Sequence, residues 1–337
     1  MLFTRQSYIN LMILILLTAL IAGCSTNGNN HTTANNQNQI EDGSSSQDST
    51  SSETRTIKHE MGETPITGTP KRIIALEFSY IDALAALDIK PIGAADDGDP
   101  NRLIEQVKSR IGEYTSVGTR KQPSLEIISS LQPDLIIADL KRHKDIYDDL
   151  QKIAPTIVLT SLEADYEGIM DGFTIIADAV GKKEEAEAIL AAHQQAIDQF
   201  KSLVPADESR TVMPAVVTTD GFHAHSAISY TGSLLESIGL KNAIQDAHEG
   251  KLEKVNQYNK LNLEQVVEFD PDILFLIKDG DGGSIVDEWK NNPLWAEISA
   301  VKNDQVYEVS RTVWAWSRGL ISAETILEDA TQWLYAQ

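Results

Sequence analysis

The chain has 337 residues, with 50 acidic against 28 basic side chains, a formal net charge of -22 and a sequence pI of about 4.6. That balance excludes the electrostatic footprint of a nucleic-acid binder and of a polybasic membrane patch. A single cysteine excludes any disulfide within the chain, and only seven histidines are available as metal ligands or general bases.

Met1–Asn10 carries one positive charge, Arg5, and Leu11–Ile21 is almost wholly apolar before Ala22-Gly23-Cys24. The run is too short to span a bilayer and has the form of a signal-peptide core followed by small residues. It resembles a bacterial lipoprotein signal, which implies that residues 1–23 are removed and that Cys24 becomes the lipidated N-terminus. Two acyl chains anchor a protein stably where one does not. Residues 24–55 are dominated by Asn, Gln, Ser and Thr. Such a segment cannot bury enough apolar surface to fold and is read as a flexible tether, with a reach of roughly 30 Å.

A first α/β lobe is expected over 56–165. Lys71–Leu76 predicts a strand, Tyr80–Leu87 a helix closed at Asp88, and Ile92–Ala95 a second strand. Asp96–Pro100 is read as loop, with a helix around Arg102–Arg110. Pro123–Ala138 then reads as a short helix, a Pro133-Asp134 turn and a buried strand ending at Asp139. Ser124 is the helix N-cap and Glu126 stands in its first turn. Lys141–Ile153 predicts a helix and Pro155–Leu159 a strand. Residues 166–203 are read as a connecting region, in which Glu184–Phe200 carries the longest helical pattern.

A second lobe is expected over 204–337. Val212–Thr218 predicts a strand, Asp220–His225 a loop, and Gly232–Ile238 a helix closed by Gly239. Leu261–Leu276 then repeats the pattern of the first lobe: Leu263-Glu264 matches Leu125-Glu126, Asn262 takes the place of Ser124, and Pro271-Asp272 matches Pro133-Asp134. After an Asp279–Ser284 loop come an amphipathic helix carrying Trp289 and Trp295, the strand Gln305–Val309 and a helix over Ser322–Tyr335. Strands alternating with helices predict parallel sheets with right-handed crossovers.

The chain has no Gly-x-Ser-x-Gly, no phosphate-binding loop and no His-Glu-x-x-His. His223-x-His225 is a metal-type pair, but nothing near it in the sequence completes a closed site. Arginine is the feature that stands out. Arg102, Arg120, Arg142, Arg311 and Arg318 fall in predicted loops or helix starts beyond strand ends, the edge where open α/β sheets bind ligands. Guanidinium groups match carboxylates and other oxyanions through paired hydrogen bonds. A cleft lined with them suits an oxygen-rich anion.

The signal, the two Leu-Glu/Pro-Asp repeats and the long central helix resemble the siderophore- and cobalamin-type substrate-binding proteins of ABC importers, from about Thr56 onward. The resemblance implies two Rossmann-like lobes joined by a single long α-helix, the class III periplasmic-binding-protein arrangement, as a monomer on the extracytoplasmic face of the membrane. It implies that Glu126 and Glu264 dock onto arginines of a permease that works with an ATPase. Val117–Pro123, Ala138–Lys144, Gly221–His225 and Trp316–Ile321 are also similar to receptors for ferric citrate and for citrate-based or hydroxamate siderophores. In the citrate-type receptors a basket of arginines holds a ferric chelate. The matching positions are Arg102, Arg120, Arg142, Arg311 and Arg318, with His225 and Tyr258. Trp316 departs from the pattern, since those receptors carry another arginine there, and the change fits a smaller or less charged chelate such as ferric citrate. The chelator holds the iron, so no resident cofactor and no protein metal site is expected. The alternatives at this point are a ferric hydroxamate receptor, a cobalamin or haem receptor, and a lipid-anchored enzyme on the same scaffold.

Overall fold

The computed structural model describes residues 53–245, 251–280 and 282–335. The signal segment, Cys24 and most of the tether lie outside the described residues. An antiparallel hairpin, β1 (Thr54–His59) and β2 (Gly62–Thr67), begins inside the last residues read as tether. Its inward residues Ile57 and Ile66 are buried in the first lobe's core, and that burial holds the segment to the folded body.

The first lobe then runs β3 (Ile73–Ala75), α1 (Phe78–Ala86), β4 (Gly93–Ala94), α2 (Glu105–Ile111), β5 (Thr115–Ser116), the small hairpin β6 (Gly118–Thr119) and β7 (Gln122–Pro123), α3 (Leu125–Ser130), β8 (Leu135–Asp139), α4 (Leu140–His143), α5 (Tyr147–Ile153) and β9 (Thr156–Leu159). The sheet order is β5-β4-β3-β8-β9, and every pair is parallel. Along β8 the side chains alternate between two cores. Leu135 and Ile137 join one, Ile136 and Ala138 the other, so helices cover both faces. The helix expected over Lys141–Ile153 is broken by a 3-10 turn at Lys144–Ile146. His143 turns its ring inward and bonds two backbone groups, and the chain leaves the helical region at Ile146.

Two helices follow. In α6 (Tyr166–Ala179) the Tyr166 N–H donates to Ser233 of the second lobe, while Phe173 and Ile176 lie in the first core. α7 (Lys183–Leu203) runs back, with Ala186 in the first core and Ile197 in the second. This is the long helix expected over 184–200. Its 21 residues span about 30 Å and cross from lobe to lobe.

The second lobe contains β10 (Thr211–Thr218), β11 (Gly221–His225), α8 (Tyr230–Ser237), β12 (Lys241–Asn242), β13 (Tyr258–Leu261), α9 (Leu263–Phe269), β14 (Ile273–Lys278), α10 (Ile285–Trp289), α11 (Ser299–Lys302), β15 (Val306–Ser310) and α12 (Leu320–Tyr335). Its sheet runs β13-β11-β10-β14-β15, with β12 on the start of β10. The sheet is mixed, because β11 and β13 are antiparallel to their neighbours. Asp220–His225 is therefore a hairpin return and edge-side strand rather than the expected loop. Phe222 and Ala224 enter the core, and His223 and His225 alternate onto the other face. Pro214 has no N–H to offer, and it sits in the gap between the lengths of β10 that pair with β12 and β11. The expected helix carrying Trp289 and Trp295 is two pieces, α10 and a 3-10 turn at Pro293–Glu297, because Pro293 disfavours helical backbone at Asn292.

The repeated Pro-Asp has a common task in the two lobes. Asp134 accepts hydrogen bonds from the Lys71 and Arg72 N–H groups, both at 2.8 Å, and Asp272 accepts from the Thr211 N–H at 2.8 Å. Each carboxylate thus ties its own strand to the entry of the central strand beside it.

The lobes meet at Asp82 on α1, which is 1% exposed. Its carboxylate accepts from the Ile321 N–H (3.1 Å), the Ser322 N–H (3.1 Å) and the Ser322 hydroxyl (3.0 Å) at the N-terminus of α12. A Cβ at Gly319 would overlap this carboxylate, so only glycine permits the approach. The Tyr230 hydroxyl holds the same residue from the second lobe, donating to the Gly319 carbonyl at 2.8 Å and accepting from its N–H at 3.1 Å.

Burial pushes the Asp82 carboxyl up from 3.8 to about 6, against the hydrogen bonds from Ile321 and Ser322 that favour its charge. The folded chain therefore holds this proton more tightly than the unfolded chain. The contribution to stability is full below pH 4 and is lost as pH rises through about 6. A shift of that size is worth about 3 kcal/mol. Measured by urea unfolding, the stability of the wild type relative to Asp82→Asn is expected to fall by about that amount between pH 4 and pH 7.

Candidate ligand-binding cleft

In a parallel sheet the carboxyl ends of the strands present loops and helix starts to one edge. Here those ends carry charge. Glu77 follows β3, Asp96 and Asp97 follow β4, Asp139 ends β8 and Arg311 follows β15. A cavity of about 470 Å³ lies between the lobes at this edge. Its wall includes Arg120, Arg142, His225, Tyr258, Arg311, Trp316 and Arg318, seven of the eight ligand-contact residues expected from the sequence. Arg102 is not in the wall. It stacks on Trp316, 4.4 Å from the ring centroid, and pairs with Asp97 at 3.1 Å. Arg311 covers the same ring at 5.3 Å, so Trp316 receives one guanidinium from each lobe.

The arginines are not a set of bare like charges. Arg120 gives Asp97 three hydrogen bonds, from its backbone N–H (2.8 Å), Nε (3.1 Å) and Nη2 (2.7 Å), and lies over the Phe78 ring. Arg142 pairs with Glu77, which also lies 3.7 Å from Arg120. Arg311 pairs with Asp279 at 2.6 Å. Arg318 has no carboxylate partner among the described residues; it donates to the Leu162 carbonyl at 3.2 Å and reaches the Tyr258 hydroxyl at 3.5 Å. It is only 4% exposed.

These pairings set the local protonation. Burial raises Asp97, but the hydrogen bonds and charge of Arg120, with Arg102, outweigh it and hold the carboxyl at about 2. Burial pushes Glu77 up, while Arg142, Arg120 and Arg318 pull it down. His225 is lowered to about 3, first by burial and then by Arg318, so its imidazole stays neutral beside the cations. Its ring meets Tyr258 edge-on at 4.8 Å. Among the described residues, the buried side-chain atoms without a hydrogen-bond partner are His225 Nδ1, Arg311 Nε and Arg318 Nε in the cavity wall, and Glu77 Oε2 and Arg102 Nε directly behind it. Buried polar groups elsewhere in folded proteins are nearly always satisfied, so the clustering is a mark of a site that takes a polar ligand. No group of three His, Cys, Asp or Glu side chains among the described residues is placed to hold a metal ion.

A second set of residues holds the arginines in place. Asp139 accepts from the Arg142, Ser161 and Leu162 N–H groups at 3.0, 2.9 and 3.2 Å, and so positions both Arg142 and the carbonyl that Arg318 uses. His143 Nδ1 accepts from the Asp139 N–H and its Nε2 donates to the Arg120 carbonyl, each at 2.8 Å. The sequence argument passed over Glu77, Asp97, Asp139 and His143. The signal available was the one used for the arginines, a charged residue directly beyond a strand end.

Glu126 and Glu264 lie elsewhere. Both are exposed, in the first turns of α3 and α9, behind the capping side chains of Ser124 and Asn262. Neither makes an ion pair among the described residues.

Two α/β lobes, a helix that crosses between them and a polar cleft at the facing strand ends define a cleft-type binding protein. The chain belongs to the family described as periplasmic binding protein, whose model matches residues 73–312. It is 42% identical to the Fe(3+)-citrate-binding protein YfmC of Bacillus subtilis (strain 168), over 96% of this chain and 95% of that one. It is 38% identical to the Fe(3+) dicitrate-binding periplasmic protein FecB of Escherichia coli (strain K12), over 84% and 91%. Among solved structures it is similar to Staphylococcus aureus SirA complexed with staphyloferrin B, with a TM-score of 0.73 and 27% identity over 83% of this chain and 98% of that one.

Replacing His143 by alanine leaves the Asp139 N–H and the Arg120 carbonyl buried and unpaired, and opens a cavity. The expected cost is about 2–4 kcal/mol, read as a lower urea midpoint at unchanged slope.

Proposed function

We propose that this protein is the substrate-binding component of an ABC importer for ferric citrate or a related citrate-type ferric chelate. The observation that carries the reading is the convergence of guanidinium groups from both lobes on one cavity, with Arg318 buried there and no carboxylate within ion-pair distance of it among the described residues. The relatives named for ferric citrate support the same ligand class. The event is binding, not catalysis. The chelator holds the iron, and the protein supplies donors and shape: Arg120, Arg142, Arg311 and Arg318 toward carboxylate oxygens, Tyr258 and neutral His225 as further polar contacts, and Trp316 as an apolar wall that Arg102 braces. The chain acts outside the cytoplasm as a monomer, tethered through lipidated Cys24, and Glu126 and Glu264 present one carboxylate from each lobe to the permease.

A tryptophan-quenching titration tests the ligand. Ferric citrate is expected to quench saturably, and ferric hydroxamates, a catecholate chelate and cobalamin are not; quenching by a hydroxamate alone would overturn the citrate reading. Truncating one member of a buried charge contact costs about 2–5 kcal/mol, so Arg318→Ala is expected to weaken ferric citrate at least about 30-fold.

The docking residues separate binding from delivery. Glu126→Lys and Glu264→Lys are each expected to leave the affinity of the purified protein within about twofold, since an exposed rim charge far from a contact contributes little, and to stop iron uptake by cells. Loss of affinity in either purified variant would remove the docking assignment.

A further inference from the structure

The counter-charges in the cleft are unevenly placed. On the first lobe Asp97 binds Arg120 and Arg102, and Glu77, 0% exposed, stands between Arg120 and Arg142. Neither carboxylate is part of the cavity wall; both stand behind guanidinium groups, two of which are in it. On the second lobe Arg318 faces the cavity without a carboxylate partner among the described residues. The first lobe thus offers N–H donors each paired with a carboxylate, while the second offers Arg311 paired with Asp279 and a buried Arg318 with no carboxylate within ion-pair distance among the described residues.

This arrangement bears on a problem that any receptor for a carboxylate chelate meets. Stripped of iron, the same set of citrates carries more negative charge, because each iron(III) cancels three negative charges and the hydroxyl protons displaced on coordination give back only part of them. A cleft whose four guanidiniums were all uncompensated would favour the more anionic, iron-free form through Coulomb attraction in a partly desolvated site. A cleft with neutralised donors still orients carboxylate oxygens, but it no longer offsets the desolvation of the extra charge.

We propose that Glu77 and Asp97 are specificity-determining residues that act through Arg120, Arg142 and Arg102, lowering the charge of the cleft so that it favours the iron-loaded chelate over the free polycarboxylate. The inference rests on the citrate-type reading of the site. Glu77 and Asp97 do not touch the ligand; they set the charge of the groups that do.

The test uses the purified full chain in detergent, as wild type, Glu77→Gln and Asp97→Asn. Each amide keeps a carbonyl oxygen for the arginine and removes the charge. Iron-free citrate is titrated by calorimetry and ferric citrate by tryptophan quenching, each at several salt concentrations. In both variants iron-free citrate is expected to bind at least tenfold more tightly than in the wild type. Its salt dependence should steepen, and the preference for ferric over free citrate should shrink by a similar factor. If both ligands weaken in equal proportion, or free citrate gains nothing, the carboxylates only hold the arginines in place and the inference falls. Circular dichroism checks that each variant folds; Asp97, at the edge of the network, carries the test if Glu77→Gln does not fold. If no form takes ferric citrate, the citrate-type reading fails and the inference falls with it; if ferric citrate binds and free citrate does not tighten in the variants, only the inference falls.

Discussion

A buried carboxylate at a helix N-terminus governs the arrangement of the lobes. The first backbone N–H groups of a helix lack partners within it and carry partial positive charge. In α12 those groups belong to Ile321 and Ser322, and the acceptor is Asp82, on α1 of the opposite lobe. Asp82 is almost fully buried, so these hydrogen bonds are made in the dry seam between the lobes. Gly319 permits the approach, and Tyr230 holds the same peptide from the second lobe. Arg318 immediately precedes Gly319. The contact that joins the lobes therefore also places the one cleft guanidinium that has no carboxylate partner among the described residues.

The cleft follows from the same preference for paired buried charge. A guanidinium with little exposure is costly unless it is hydrogen-bonded, and several of them together repel. Asp97 and Glu77 on one side and Asp279 on the other meet that requirement for four arginines. Trp316 adds an uncharged contact to Arg102 and Arg311. The donors are thus held in position before any ligand arrives, which reduces the ordering that binding must impose. Among the described residues the orphaned polar atoms that remain are on His225, Arg311 and Arg318 in the cavity wall and on Glu77 and Arg102 directly behind it.

Much of the fold was legible because it rests on short-range patterns. The Leu-Glu/Pro-Asp repeat carries its cap, its first-turn acid, its breaker and its apolar strand within sixteen residues, and α3–β8 and α9–β14 follow it. The long run of Ala, Glu, Gln and Lys is α7. Misreadings came where a tertiary contact overrode the local pattern. Phe222-His223-Ala224-His225 alternates as a strand does, but its short length and the Gly before it read as a turn until Phe222 and Ala224 are seen in the core. The helix over 141–153 breaks just after His143, whose ring is held inward by the Asp139 N–H and by the Arg120 carbonyl 23 residues away. The β1–β2 hairpin has only Ile57 and Ile66 as inward-facing core residues, too sparse a signal to separate from the polar segment before it.

The sequence by itself determined the two-lobe α/β plan, the crossing helix, the capped positions of Glu126 and Glu264 and the richness of arginine beyond strand ends, since each is a matter of residues within a few turns of one another. Only the tertiary structure decided which acids answer those arginines and how the lobes are joined. Glu77 meets Arg142 across 65 residues, Asp97 meets Arg120 across 23, and Asp82 meets Ser322 across 240. Nothing local marks such partners, because an acidic residue after a strand looks the same whether it faces solvent or a buried guanidinium. The choice is made by packing, which removes water from the cleft and leaves each charge only the partners that the fold brings within reach.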